Sequence, residues 1–303
     1  MRIINFAKGK VDNIVLALGN FDGVHIGHRK LLLSAVGYAK KKGLKCYALT
    51  FEPHPQQVVA PKESFKLLTT LDERVKLMSG LGVDGLIIKR FDKATRGMPA
   101  EMFVKKYLVD GLHVKKVFVG FDFAFGKGRK GDISLLKRLG RKFGFTVNAV
   151  KPVKHSGVVV KSSAIRKLII YSRFNEAVKL LGHSYVLHEK VISGTGTGRK
   201  LGFPTANLSA DPDKLIPGYG VYFGFAEVKG KRRKCLINIG SRPTFSGDFA
   251  IEVFILGFRG DLKGKRLNVE LMKKIREEKE FASAHALKKQ IAKDVRKARN
   301  MRI

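Results

Sequence analysis

The sequence predicts two domains, an α/β domain built on a parallel sheet and a small antiparallel β-barrel with a C-terminal helix. The length of 303 residues suits about two domains. In the first half, short apolar runs alternate with helix-like stretches, a pattern typical of βαβ units with helices on both faces of the sheet. After about residue 182, short β-rich runs separated by Gly, Pro and charged turns indicate a barrel.

The predicted elements of the first half follow one another in strict alternation. The strands are expected at Ile14–Leu18, Lys45–Phe51, Gly85–Phe91, Lys116–Gly120 and Thr146–Val150. The helices are expected at Arg29–Lys42, Asp72–Gly80, Ala100–Asp110 and Ile133–Phe143. Ligands of such sheets bind at the carboxyl ends of the strands, so a site is expected there.

The second half is predicted to contain short strands and one long helix. The strands are expected at Val221–Val228, Cys235–Ile239, Ala250–Phe254 and Leu267–Leu271. Ser283 can cap a terminal helix in which Leu287, Ile291 and Val295 recur at four-residue spacing and form one apolar stripe. The boundary is placed near Leu181–His183, which gives domains 1–181 and 182–303.

Composition excludes several classes of protein. Hydrophobic residues make up 44% of the chain, enough for a core, yet no apolar stretch approaches the roughly 18 residues of a membrane span. The first ten residues, MRIINFAKGK, do not have the pattern of a secretory signal. Cys46 and Cys235 stand alone, which is typical of reduced thiols and predicts a cytoplasmic protein.

The formal net charge of +35 is the most unusual bulk property. A basic excess favours nucleic acid, anionic lipid or acidic substrates as partners. Here the excess is spread over both halves, whereas a nucleic-acid footprint is normally a stripe or a tail. We therefore predict neither a nucleic-acid nor a membrane partner. Phosphate-bearing substrates benefit from positive potential, but they do not account for all of it.

The first motif is the turn GNFDGVHIGH, Gly19–His28, directly after the first predicted strand. A glycine-bearing strand-to-helix turn lets backbone N–H groups and a helix N-terminus approach phosphate, for which Gly19, Asp22 and Gly23 are candidates. His25 and His28 are three positions apart, so both rings can face one ligand and stabilise charge on an α-phosphate as pyrophosphate leaves. A metal site or an accidental pair is the alternative.

The turn resembles the nucleotidylyltransferase superfamily, and the string HIGH also resembles class I aminoacyl-tRNA synthetases. Further motifs follow in the order typical of the FMN adenylyltransferase module of bacterial bifunctional FAD synthetases. They are FEPHP at Phe51–Pro55, LTTLDER at Leu68–Arg74, VGFDFAFGKGRKGD at Val119–Asp132 and KSSAIR at Lys161–Arg166. The resemblance implies a Rossmann-like nucleotidylyltransferase domain.

The resemblance also implies a role for each motif. His25 and His28 would contact the phosphates of ATP, and Ser162, Ser163 and Arg166 would hold the triphosphate. Asp122 would lie on the nucleotide side. Residues Phe51, Pro53, His54 and Pro55 would shape the flavin side.

One departure from the family pattern is visible in this half. The family commonly reads SSTxIR where this chain has KSSAIR, so Ser163 replaces the threonine and Lys161 replaces the first serine. Hydroxyl groups and the arginine are kept, so activity is expected to survive.

The second motif, GTGTGRKLGFPTAN, occupies Gly194–Asn207. A glycine loop can wrap phosphates closely because it lacks side-chain bulk, although many such loops are plain hairpin turns. Thr205 and Asn207 offer oxygen ligands that suit Mg²⁺ held together with substrate phosphates.

This stretch resembles the riboflavin kinase family, and the resemblance continues to the end of the chain. The later motifs are PGYGVY at Pro217–Tyr222, NIGSRPTF at Asn238–Phe245, IEVFIL at Ile251–Leu256, GDLKG at Gly260–Gly264 and IREEKEF at Ile275–Phe281. The family fold is a six-stranded antiparallel barrel with a C-terminal helix. Two departures, Gly257 for aspartate and Lys263 for tyrosine, affect packing or flavin affinity rather than the reaction.

The kinase resemblance implies that Glu252 is the general base for the ribityl 5′-hydroxyl, whereas Glu252 alone could be a solvated surface residue. Thr205 and Asn207 would bind Mg²⁺–ATP, and Arg299 would lie near the flavin. The residues expected to bind the phosphates of ATP here are Gly194, Gly196, Gly198 and Lys200.

The chain is therefore predicted to phosphorylate riboflavin to FMN and to adenylylate FMN to FAD. Its ligands are riboflavin, FMN, FAD and ATP, with Mg²⁺ and no tightly bound prosthetic group. Three alternatives stay open: one half is inactive, the chain is a synthetase-like RNA-binding protein, or it carries flavin without turnover. The sequence does not predict the oligomeric state.

Overall fold

The computed structural model describes residues 1–6, 11–59, 65–241 and 249–301. Contacts between residues divide the chain into two compact units, Met1–Ser162 and Ser163–Ile303. Within the described residues, no helix has both the length and the apolar character that crossing a bilayer requires.

The first unit is built on a six-stranded parallel sheet. Its strand order is β1-β4-β3-β2-β5-β6, and a short hairpin, β7–β8, follows it. The strands are β1 Arg2–Asn5, β2 Val15–Leu18, β3 Cys46–Glu52, β4 Gly85–Arg90, β5 Lys116–Gly120, β6 Thr146–Val150, β7 Lys154–His155 and β8 Val158–Val159. The helices are α1 Ile26–Lys41, α2 Pro55–Val59, α3 Leu71–Ser79, α4 Lys93–Gly97, α5 Ala100–Phe103 and α6 Ile133–Phe143.

Alternate side chains of each central strand enter two different cores. On β2, Leu16 and Leu18 pack on one face of the sheet with Leu136 of α6. Val15 and Ala17 pack on the other face, in the cluster that contains the buried residues of α1. Burial on both faces explains why these strands read as continuous apolar runs. The fold class predicted for this half is confirmed.

The second unit contains the helix α7 Ser162–Ile170 from its second residue onward, the helix α8 Phe174–Leu181 and a closed six-stranded barrel. Around the barrel the order is β10-β13-β12-β11-β14-β9, and neighbouring strands are antiparallel. The strands are β9 Tyr185–Ile192, β10 Ala206–Leu208, β11 Gly220–Val228, β12 Lys231–Ser241, β13 Phe249–Ile255 and β14 Arg266–Arg276, and one turn, α9 Thr197–Lys200, precedes β10. The predicted barrel is confirmed.

The terminal helix, α10 Ala284–Asn300, begins as its sequence predicts. The Ser283 hydroxyl accepts a hydrogen bond from the Ala286 N–H at 3.2 Å and so caps the first turn. Val295 and Ala298 are buried against the barrel residues Val221, Phe223 and Leu236. Ile291 joins this contact, so the apolar stripe attaches the helix to the barrel.

Several predicted elements differ from the observed ones. Strand β1 was not predicted, because it is a four-residue edge strand that pairs only with β4. The helix expected at Ala100–Asp110 is helical only to Phe103 and continues as a π-helical segment, Val104–Val109. Strands β9 and β10 were also missed. The division of the chain at Ser162 reflects contacts between residues and does not test the domain boundary expected near Leu181–His183. That boundary stays a prediction.

Candidate functional site

The two histidines of the first motif are stacked at the start of α1. Their ring centroids are 3.6 Å apart and the ring planes differ by 17°. His25 caps the helix, because its Nδ1 accepts a hydrogen bond from the His28 N–H at 3.2 Å. This bond leaves Nε2 of a neutral His25 as the protonated nitrogen. The pair therefore presents imidazole nitrogens at the carboxyl end of β2, where parallel sheets bind ligands.

His28 is held in its neutral form. Burial is the main cause that lowers its pKa well below the usual value, and the neighbouring His25 adds to the effect. The positive charge of Arg74 and the His54 ring lower this pKa further. The Nδ1 atom of His28 is buried and has no hydrogen-bond partner in the described residues. An anionic ligand would reverse this balance, since it favours the imidazolium form.

Asp22, expected to help bind ATP phosphate, is buried inside the turn. One carboxylate oxygen accepts from the N–H groups of Leu68 and Thr69 at 2.9 and 3.0 Å. The Thr69 hydroxyl also donates to it at 3.2 Å, and accepts from the Gly23 N–H at 2.8 Å. These bonds join the GNFDG turn to the LTT segment. They indicate that this carboxylate stabilises the turn.

Replacing Asp22 by Asn is expected to lower the free energy of unfolding by about 2 kcal/mol. The amide has one acceptor oxygen instead of two, and its NH₂ group faces backbone donors. Urea unfolding followed by circular dichroism measures the change. The control is Asp132→Asn, at the N-cap of α6, where Asn caps as well as Asp. Equal stability of the two variants would contradict the proposed support of the turn.

The FEPHP segment forms a wall at the end of β3. Phe51 packs edge-on against Phe91 with centroids 5.6 Å apart, and His54 stacks on Phe65 at 4.7 Å. His54 is buried, Pro55 is half-buried and Pro53 is exposed. An aromatic and proline wall of this kind suits one face of a flat ring, and the flavin contact expected here stays a prediction.

An ion pair between a buried arginine and a half-buried glutamate connects this wall to the β2–α1 turn. Arg74 is fully buried and its Nη2 lies 2.6 Å from a carboxylate oxygen of Glu52, the residue before Pro53. Its Nη1 donates to the Asn20 carbonyl and the Thr50 hydroxyl, each at 3.2 Å. Arg74 thus connects the β2–α1 turn with the end of β3. Both Arg74 and Glu52 lie in motifs that the sequence identified, but their pairing was not predicted.

The remaining predicted residues of this half are placed on two segments. Asp122 is exposed just after β5, and Gly19 ends β2 with its N–H donating to the Leu49 carbonyl at 3.2 Å. The Ser162 hydroxyl donates to the Asp22 carbonyl at 2.8 Å. Both residues belong to the first unit, so this bond joins the last residue of that unit to the β2–α1 turn. Ser163 and Arg166 lie on the first turns of α7, and their roles stay predictions.

The glycine loop of the second motif fits closely over the PTAN residues. A methyl group on Gly194 would overlap the Asn207 amide, so only glycine allows this approach. A methyl group on Gly198 would lie 2.5 Å from the Phe203 carbonyl oxygen and 3.1 Å from the Thr205 hydroxyl. The loop therefore covers both predicted metal ligands. Gly196 adopts a left-handed conformation with φ 75°, and Lys200 is exposed on the following turn.

The strand register places Glu252 between two asparagines. Asn207 on β10 and Asn238 on β12 lie directly opposite Glu252 on β13, one on each side. Residues directly opposite in antiparallel strands project from the same face, so the three polar side chains form one row. The alternate residues Ile251 and Val253 are buried in the barrel, so the row faces outward. Phe254 on the same strand packs edge-on against Phe203, with centroids 5.5 Å apart.

This row was only partly predicted. Asn238 belongs to the quoted NIGSRPTF motif but received no role, because the pairing of β12 with β13 cannot be read from local spacing. The rest of that motif, 242–245, lies outside the described residues. Arg299 is exposed on α10, and its backbone carbonyl accepts from the Lys234 ammonium at 2.6 Å. Its expected contact with flavin stays a prediction.

Two oxygen donors, one in the row and one just before β10, suit a magnesium ion. Thr205 supplies a hydroxyl and Asn207 an amide oxygen, both hard ligands of the kind that Mg²⁺ accepts beside substrate phosphates. Gly194 and Gly198 bring the loop backbone close to Thr205 and Asn207. Phosphates bound there would meet backbone groups rather than side chains.

Two family models match this chain. One, described as FAD synthetase, matches residues 8–164, and the other, described as riboflavin kinase, matches residues 181–302. Curated relatives carry the name bifunctional riboflavin kinase/FMN adenylyltransferase. The relative from Escherichia coli (strain K12) is 38% identical over 301 residues, which cover 98% of this chain and 95% of the relative. The relative from Pseudomonas fluorescens is 38% identical over 287 residues, covering 94% and 92%.

A solved structure is also similar over its full length. It is the crystal structure of a protein from Streptococcus pneumoniae named macrolide-efflux protein, and it aligns with 100% of this chain and 99% of its own chain. The TM-score is 0.89 and the sequence identity is 29%. The name belongs to the Streptococcus protein, whereas the fold is shared across both halves of this chain.

Proposed function

The chain belongs to the family of bifunctional riboflavin kinase/FMN adenylyltransferases, and we propose from this premise how its own residues divide the two reactions. It is an ATP-using enzyme that phosphorylates riboflavin to FMN and adenylylates FMN to FAD. We assign adenylylation to residues 1–181 and phosphorylation to residues 182–303. The observation that carries the assignment is the row Asn207–Glu252–Asn238 beneath a glycine loop.

In the kinase reaction, Glu252 takes the proton of the ribityl 5′-hydroxyl. The freed oxygen attacks the γ-phosphorus of ATP in line, a new P–O bond forms, and the bond to ADP breaks. A strand carboxylate flanked by two asparagines has its direction fixed by the register, which suits a general base. Gly194, Gly196, Gly198 and Lys200 hold the phosphates of ATP, and Arg299 lies beside the flavin.

Thr205 and Asn207 would hold Mg²⁺ in this reaction. When bound, it neutralises charge on the transferred phosphate. Addition of a chelator should stop FMN formation, and restored Mg²⁺ should return it.

In the adenylylation reaction, a phosphate oxygen of FMN attacks the α-phosphorus of ATP and pyrophosphate leaves. The attacking phosphate is already anionic, so no general base is required. His25, His28 and Arg166 neutralise the charge that builds on the leaving group. Ser163 binds phosphate and Asp122 binds the nucleotide. Asp22 holds the turn in shape, together with Gly19, Gly23 and Ser162, whose donor groups bond inside the protein rather than to phosphate. The wall formed by Phe51, Pro53, His54 and Pro55 receives the flavin.

One assay tests the whole assignment. Purified protein incubated with riboflavin, ATP and Mg²⁺ should produce FMN and then FAD, resolved by chromatography. Formation of FMN without FAD would show that the chain lacks the second activity. Retention of tRNA that is sensitive to salt, without flavin turnover, would favour the RNA-binding alternative over the enzyme. Riboflavin binding without any product would favour the carrier.

A methyl group at Gly194 tests the loop. Gly194→Ala should reduce the rate of FMN formation about 100-fold, because the loop or Asn207 must shift by roughly 1 Å. Adenylylation of added FMN should stay at the parent rate. The control is Gly37→Ala on α1, where an added methyl group meets nothing within 4 Å. Normal kinase activity in Gly194→Ala would show that the loop does not need this close approach.

We also propose a cytoplasmic location. Cys46 and Cys235 are both buried and unpaired. Burial raises the pKa of the Cys46 thiol to about 12 and that of Cys235 further still, so both thiols are poorly reactive. Cell fractionation with antibody detection should find the protein in the cytoplasmic fraction.

A further inference from the structure

Lys161 forms an ion pair with a residue that follows the carboxyl end of β5. Its Nζ lies 2.8 Å from a carboxylate oxygen of Asp122. The same ammonium lies 5.0 Å from the centroid of the Phe121 ring. Both partners directly follow β5, which ends at Gly120.

The pair lies at the edge of the sheet where the nucleotide is expected. Strands β2 and β5 are parallel neighbours, so their carboxyl ends lie side by side. Asp122 follows the end of β5. Ser162, the residue after Lys161, is bound through its hydroxyl to the Asp22 carbonyl in the turn that follows β2. Lys161 and Ser162 together therefore connect the segments that follow the two strands.

The pair is weak enough to exchange partners. The Lys161 side chain is 45% exposed and the Asp122 side chain 53% exposed, and ion pairs this exposed contribute little to stability. A cation just before α7 also gains nothing from the helix, whose N-terminus favours negative charge and whose first turn contains no acidic residue. A phosphate group carries more negative charge than one carboxylate, so it would compete with Asp122 for the ammonium.

We propose that Lys161 leaves Asp122 and binds a phosphate group at the adenylylation site when substrate arrives. This inference rests on the proposed function of the first domain. The phosphate group belongs either to ATP, and then to the pyrophosphate product, or to FMN.

The variant Lys161→Ser removes the ammonium, and its effect on each ligand separates these sources. Calorimetric titrations with pyrophosphate, FMN and riboflavin measure binding without turnover, and steady-state assays give the KM values for ATP and FMN. We expect about tenfold weaker binding of either pyrophosphate or FMN, with the matching KM raised. Riboflavin lacks phosphate, so its binding should be unchanged. Lys161→Arg should bind the phosphate ligand as the parent does.

The same chain offers two controls. Lys142 forms a comparable exposed pair with Glu101 at 2.8 Å and lies 5.2 Å from the Phe143 ring, so Lys142→Ser removes an equivalent pair elsewhere. The KM for ATP in the kinase reaction reports the other domain. Binding of pyrophosphate and FMN should not change in Lys142→Ser. The KM for ATP in the kinase reaction should not change in Lys161→Ser.

Unchanged binding of pyrophosphate and FMN in Lys161→Ser would overturn the proposal while the parent still makes FAD. Equal effects in Lys142→Ser, or a parallel loss in the kinase reaction, would also overturn it, since the role would then be structural. A parent protein that makes no FAD would instead contradict the proposed function itself.

Discussion

Replacing Glu252 by Gln should lower the rate of FMN formation by about 10²–10⁴-fold, the usual contribution of a general base. Glutamine keeps the size of the side chain and its place opposite Asn207 and Asn238, but it cannot take up the proton. Riboflavin and ATP should still bind. Adenylylation of added FMN should continue at the parent rate, because that reaction belongs to the other domain.

The matched control for this variant is Glu227→Gln. Glu227 is an exposed residue on β11 of the same barrel. This change should leave both activities unaffected. Separate measurements with riboflavin and with FMN as substrate distinguish the two reactions. Parent-like FMN formation in Glu252→Gln would remove the general base from the mechanism, and equal loss in both variants would indicate a change in barrel stability.

Local features of the fold could be predicted because each depends on neighbours in the sequence. The strand Lys116–Gly120, the helix Ile133–Phe143 and the cap at Ser283 were all predicted at their observed positions. Asp132 and Gly144 bound α6 with an N-cap and a left-handed residue, signals that operate within one turn. The alternating pattern of the first half fixed the sheet class for the same reason.

Long-range contacts could not be predicted, and several of them shape the sites. The carboxylate of Asp22 is bonded to residues 46 and 47 positions later, so spacing gave no sign that it supports a turn. The pairing of Arg74 with Glu52 joins two motifs through the interior of the fold. Asn238 reaches Glu252 only through the barrel register. In each case the motif was visible, while the partner depended on tertiary structure.

Replacing His28 by Asn should lower the rate of FAD formation from FMN and ATP by about 10²–10³-fold, the usual cost of losing one donor to developing charge. FMN formation should remain at the parent rate. The control is His113→Asn, an exposed histidine in a left-handed conformation with φ 43°, which Asn tolerates. Parent-like FAD formation in His28→Asn would remove this ring from the mechanism.

The lowered pKa of His28 adds a second measurement with a defined sign. Burial favours the neutral ring in the free protein, whereas the phosphates of bound ATP favour the imidazolium. Binding of ATP should therefore take up a proton when the pH lies between the free and the bound pKa. Calorimetry in two buffers of different ionisation enthalpy measures this uptake, and His28→Asn should abolish it. Proton release in the parent would mean that the phosphates do not approach this ring, and another cation would then have to neutralise the leaving group.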